Sequence, residues 1–196
     1  RKGDGLQPED LQAAFQQSRG VAVSPPAERQ TAAWAYTDFG PKGVVAKDTR
    51  IDDLSIRTVR FANGVLLNIK KTDFEADRAH VSMRIDGGWM LFGKDAIASL
   101  AVMNGAFIGG GLGQHEIDDI RALTAGSTAS ANLGVTDDHF TSTGNVVTKD
   151  LELQLQLMAA YVTDPAYRDE AVRLFKRGMP EYYARFDATP GSAMAH

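Results

Sequence analysis

The chain has 196 residues, 43% of them apolar and 23% charged, with no cysteine and a net charge of −4. That length holds one full α/β core, or one core plus part of a neighbour. Mild acidity gives no pull toward nucleic acid or anionic membrane. The lack of Cys excludes disulfides, Cys-based zinc sites and thiol nucleophiles. Every apolar stretch is broken well before the roughly 20 residues that cross a bilayer, so neither nucleic acid nor membrane insertion is expected.

In chain order, PEDLQAAFQQS (8–18) has helical apolar spacing, with Pro8 suited to a first turn and Gly20 as a stop. SPPAERQ follows as a turn-rich connector, and AAWAYTDFGPKGVV (32–45) reads as short extended pieces. Residues 1–50 are therefore expected to be the tail of a preceding domain plus a linker, with a compact domain over 51–196 that is truncated at its C-terminal side. LSIRTVRF (54–61) and VLLNIKK (65–71) are β-rich runs joined by Ala62-Asn63-Gly64, a strong hairpin signal. HVSMRID (80–86) alternates as a third strand and stops at Gly87-Gly88. Residues 94–108 are apolar almost all round, which predicts a buried helix, and 115–125 predict a shorter amphipathic one stopped at Gly126. Two Thr/Val-rich runs, 127–135 and 139–147, fit a second hairpin around Asp137-Asp138. DLELQLQLMAAY (150–161) predicts a helix with Thr148 as N-cap and Asp164-Pro165 as its end, before a last helix over 168–186. The order β-β-β-α-α-β-β-α-α implies an α+β fold, an antiparallel sheet with helices packed on one face.

Few constellations could carry chemistry. The four histidines are His80, His115, His139 and His196, and neither HExxH nor HxxEH is present. His115, Glu116 and Asp119 have an HExxD-like spacing on one helix face, but acidic residues in a first turn are explained by the helix dipole. Asp137, Asp138 and His139 fall at a predicted turn, where such residues serve turn chemistry. The glycines Gly109, Gly110, Gly111 and Gly113 lack the Lys-Ser/Thr of a phosphate loop and follow a helix rather than a strand, so they read as structural. No GxSxG is present, and no carboxylate pair stands out as an acid/base couple.

RFANGVLLNIKKTDFEADRAHVSMRIDGGW (60–89) resembles the opening hairpin and third strand of pitrilysin/insulinase-family zinc peptidase domains. The order that follows over 95–167, a buried helix, a glycine break, a short helix, a strand pair and an "L…L…L…DP" helix, is similar to that family's continuation. The resemblance covers about residues 52–186, and WAYTDFGPKGVV before it resembles the segment opening the C-terminal half of bacterial zinc proteases of this kind. It implies the mitochondrial-processing-peptidase-like (LuxS/MPP-like metallohydrolase) fold and a parent of four related domains closing around a peptide. Only the first domain of such a parent normally carries HxxEH. Aligning the glycine that follows the motif helix with Gly109 puts the three motif positions at Leu100, Met103 and Asn104, none of which suits zinc.

The resemblance therefore implies a non-catalytic domain, with no catalytic, cofactor-binding or metal-binding residue of its own. Zinc is expected elsewhere in the parent, and the expected partners are the other domains of the same polypeptide and an extended peptide. The chain opens on Arg1, shows no signal peptide and ends in GSAMAH, and is expected to be an internal piece of a longer protein. A periplasmic or otherwise exported location is expected, with the cytoplasm as the alternative. A second reading is a non-enzymatic assembly module of the same ancestry, distinguished by a parent lacking HxxEH throughout. A third is an unrelated α+β enzyme using His115, Glu116 and Asp119.

Overall fold

The structure, a computed structural model, describes residues 7–21 and 33–184. The connector SPPAERQ, His196 and everything after residue 184 lie outside them. The chain divides into two compact units, Arg1–Gln30 and Thr31–His196. The described part of the first is one helix, α1 (Pro8–Arg19), with Pro8 in its first turn. The Gln7 amide donates to the Asp10 carboxylate at 3.0 Å and closes a capping box. None of its residues is buried.

The second unit contains two antiparallel three-stranded sheets rather than the single sheet expected. The first has the order β1 (Val45–Ile51), β2 (Ile56–Phe61), β3 (Leu66–Lys70). β1 lies largely in the stretch expected to be linker, and the expected boundary at residue 50 falls inside it. β2 and β3 turn at Asn63-Gly64, where Gly64 takes a φ of +92°. Only Val59 is buried among the three strands.

The second sheet has the order β4 (Arg78–Asp86), β6 (His139–Val147), β5 (Gly134–Val135). β4 and β6 pair without a break from Arg78–Val147 to Asp86–His139. Alternation turns Val81, Met83 and Ile85 to one face and His80, Ser82, Arg84 and Asp86 to the other, which is open to solvent. At the end of β4 the chain turns back on the 136–138 turn. Gly88 is required there: its φ is +87°, and a Cβ would stand 2.5–2.7 Å from the backbone of Thr136, Asp137 and His139.

β5 keeps only two of the nine residues expected over 127–135. Upstream, the backbone of Ser130 bonds a side chain instead of a strand. The buried Gln154 amide accepts from Ser130 N–H at 3.0 Å and donates to Ser130 C=O at 2.9 Å. Asn132 bonds the Thr143 backbone in both directions.

Four helices lie alongside this second sheet, the first and third of them against its strands. They are α2 (Ile97–Ala106), α3 (Ile117–Leu123), α4 (Leu151–Thr163) and α5 (Asp169–Ala184). α2 is less buried than its apolar sequence predicts: Leu100 and Ala106 face inward, while Ile97, Ala98 and Ala101 are exposed. α4 turns Gln154, Leu157, Met158 and Tyr161 inward, the i, i+3, i+4, i+7 stripe of a helix, and leaves Leu155 half exposed. Thr148 does not cap it by a side-chain bond; the residues 148–150 form a short 3₁₀ turn. The core gathers Tyr36, Phe107, Leu112, Ile120, Val146, Leu157 and Tyr161.

Candidate functional site

The α2 helix carries the positions where the resemblance would put zinc ligands. Leu100 is 4% exposed, and Met103 packs against the core cluster. The Asn104 side chain lies outside the described part. Among the described residues no three His, Cys, Asp or Glu side chains come together in a way that could hold a metal ion. Zinc needs three or four N, O or S⁻ donors converging at about 2 Å, and a buried Leu with a core Met cannot supply them. The residues here do not fit zinc.

His115 stands in a different place from the one its HExxD-like spacing suggests. The sharp turn before it needs Gly111, whose φ is +69° and whose Cβ would meet His115 O at 2.7 Å. Leu112 and His115 then pair backbone to backbone, N–H of each to C=O of the other, and the imidazole goes inside, 2% exposed. Its Nε2 accepts from Ala35 N–H at 3.1 Å, so the neutral ring carries its hydrogen on Nδ1. Nδ1 is buried with no hydrogen-bond partner among the described residues. Trp34 stacks on the ring at 5.3 Å and 10°, and Tyr36 meets it edge-on at 5.9 Å. Glu116 and Asp119 are used separately: Glu116 N–H donates to the Asp119 carboxylate at 3.2 Å in the capping box of α3. The three residues share no site, and the reading as an enzyme built on them is overturned.

Sequence reasoning missed the partners of this centre. Trp34, Ala35 and Tyr36 form a strap tied down at each residue. Trp34 Nε1 donates to Gln156 Oε1 at 2.9 Å. Tyr36 donates its hydroxyl proton to Asp164 Oδ2 at 2.6 Å and accepts from Gln114 N–H at 3.0 Å. Burial first, and then the bond to Asp164, raise the Tyr36 pKa above the usual phenol range. Two aromatics one residue apart in a stretch read as linker were the available signal.

The Asp137-Asp138-His139 triplet forms a turn network. His139 Nδ1 lies 2.6 Å from Asp138 Oδ1 and 2.8 Å from the Thr136 hydroxyl, and the Arg84 guanidinium stands 3.7 Å from Asp138. The bond to His139 holds the Asp138 carboxyl below its usual range. These bonds close the β5–β6 turn, and most of the Asp138 side chain faces solvent. In the glycine loop, Arg168 donates to the carbonyls of Gly110 and His115. Those bonds tie the glycine loop to the residue just before α5.

Two open features remain. β4 is paired on one side only among the described residues, and the outward face beside it carries His80, Ser82, Thr143 and Asn145 along a shallow hollow.

This arrangement of two antiparallel sheets with helices alongside is the fold of the mitochondrial-processing-peptidase and insulinase clan. Two solved structures share it. One is the periplasmic protease PqqL from Escherichia coli, with a TM-score of 0.71 and 15% identity over 97% of this chain. The other is a mutant of the ferredoxin protease FusC in complex with Arabidopsis ferredoxin, with a TM-score of 0.67 and 12% identity over 97% of this chain. The chain spans 21% of each of those proteins. The sequence matches no protein-family model and no curated protein.

Proposed function

We propose that this chain is a non-catalytic module of a larger zinc-dependent endopeptidase. It walls part of a closed chamber that holds an extended peptide, while zinc and cleavage belong to another domain of the same polypeptide. One observation carries this reading: the fold is shared with proteases several times longer, yet Leu100 and Met103 occupy the expected motif positions as core residues. The unpaired side of β4 supports the peptide role, since an extended segment can add there as a further strand through main-chain hydrogen bonds. The polar hollow beside it supplies side chains for such a segment. Likeness to a periplasmic protease supports a periplasmic or exported location.

The test is made on the purified chain. Elemental analysis is expected to find far less than stoichiometric zinc, and a fluorogenic unstructured peptide is expected to stay intact. Stoichiometric zinc together with peptide cleavage overturns the reading.

A further inference from the structure

Between the inner face of the second sheet and helices α2 and α4 lies a cavity of about 150 Å³. Three methionines from three elements line it, Met83 of β4, Met103 of α2 and Met158 of α4, together with the rings of Phe107 and Phe140. The polar groups of its wall are mostly spent. Asn132 is bonded to the Thr143 backbone, and the Tyr161 hydroxyl donates to Ile108 C=O at 3.0 Å. Ser142 is the exception: it is 4% exposed, and its hydroxyl forms no hydrogen bond with another described residue.

The cavity opens between Ile85, Val162 and Tyr167, which are 38%, 49% and 64% exposed. Tyr167 stands at the opening with a φ of +47°, a region that large side chains seldom adopt. Its ring meets Phe107 edge-on at 5.6 Å.

An apolar cavity of about 150 Å³ admits one benzene ring. Thioethers adapt their shape to what they enclose and make favourable contacts with ring edges. The Ser142 hydroxyl in that wall, without a partner among the described residues, adds a preference for a ligand with one hydrogen-bonding atom. We propose that this cavity is a binding site for a single phenyl-sized apolar group bearing one polar atom, in the manner of a phenol. Such a group is carried by a free small molecule or by a side chain of an extended peptide. The site stands independently of the peptidase reading, because it rests on the cavity alone.

The test uses the full chain with methyl-labelled methionine, titrated with p-cresol and with toluene and followed by NMR. The methyl signals of Met83, Met103 and Met158 are expected to shift and saturate, while Met90, 81% exposed and outside the cavity, stays in place. Ser142→Ala, its fold checked by its own methyl spectrum, is expected to weaken p-cresol by roughly five- to tenfold, one hydrogen bond's worth, and to leave toluene unchanged. Cavity methyls that do not move at about millimolar ligand, or that drift in step with Met90 without saturating, overturn the proposal. Equal weakening of both ligands by Ser142→Ala overturns the role given to the hydroxyl. A Tyr-containing peptide that displaces p-cresol upholds the site and assigns it to a peptide side chain; p-cresol binding that the peptide leaves untouched upholds it and assigns it to a small molecule.

Discussion

His115 shows how a residue type that suggests chemistry can serve architecture. Its Nε2 satisfies a backbone N–H, its ring is held by Trp34 and Tyr36, and its Nδ1 is left as a buried donor without a partner among the described residues. An unmet buried donor costs about 1–3 kcal/mol, so the site keeps His only because the rest of the ring is so fully used. His115→Ala is expected to lower unfolding free energy by about 2–4 kcal/mol, measured by urea denaturation, through the lost acceptor and the space left beside Trp34. A change within about 0.5 kcal/mol would show that the strap does not depend on it. Tyr161 makes a second prediction. Burial pushes its pKa up to about 12, so the folded state favours the neutral phenol. A raised pKa contributes stability that is complete below the free phenol value of about 10 and is lost as pH rises through the folded value. Stability should therefore fall between about pH 10 and 12, and Tyr161→Phe should flatten that slope. Beyond the hint of two nearby aromatics, the pairings of this centre were not legible in the sequence, because the bonds from Trp34, Ala35 and Tyr36 span about eighty residues or more. Local pattern reports what a residue does to its near neighbours and is silent on such pairings.

At the level of elements, legibility followed the locality of the cause. β6 appears over His139–Val147 as its Thr/Val alternation predicts. The Asn63-Gly64 turn is where its backbone preference puts it. β5 was overestimated because the Ser130 backbone is bonded by Gln154 from a helix, which no strand pattern can announce. α2 was read as fully buried because an apolar sequence does not say how many of its faces have a partner. The same ambiguity governs the first sheet. Val59 is 5% exposed, whereas Ile69, on the neighbouring strand, is 44% exposed. Val59→Ala is expected to cost about 2 kcal/mol. Ile69→Lys should stay within about 0.5 kcal/mol and reduce self-association of the chain, read by light scattering, since β3 is an apolar edge strand of the kind that invites pairing. A large loss of stability from Ile69→Lys would show that β3 is packed more tightly than its exposure indicates.

For the whole molecule, the fold class was legible and its division into two sheets was not. The reason is that strand runs reveal which segments are extended, while the choice of neighbours is made by long-range contacts. If the proposed role is right, the unit is held together without metal, and a chelator should leave its thermal midpoint within about 1 °C; structural zinc would give a large loss, because its binding energy is folding energy. The Gln154 amide has a mechanical consequence as well. By presenting an N–H and a C=O to Ser130, it acts as one peptide unit of a strand carried on a helix. The space it occupies depends on Gly144, where a Cβ would stand 2.5 Å from the amide. A helix pinned in this way cannot slip by a turn without breaking both part-buried bonds. The two bonds therefore tie α4 to the segment at Ser130, while Gly144 gives the amide its place against β6.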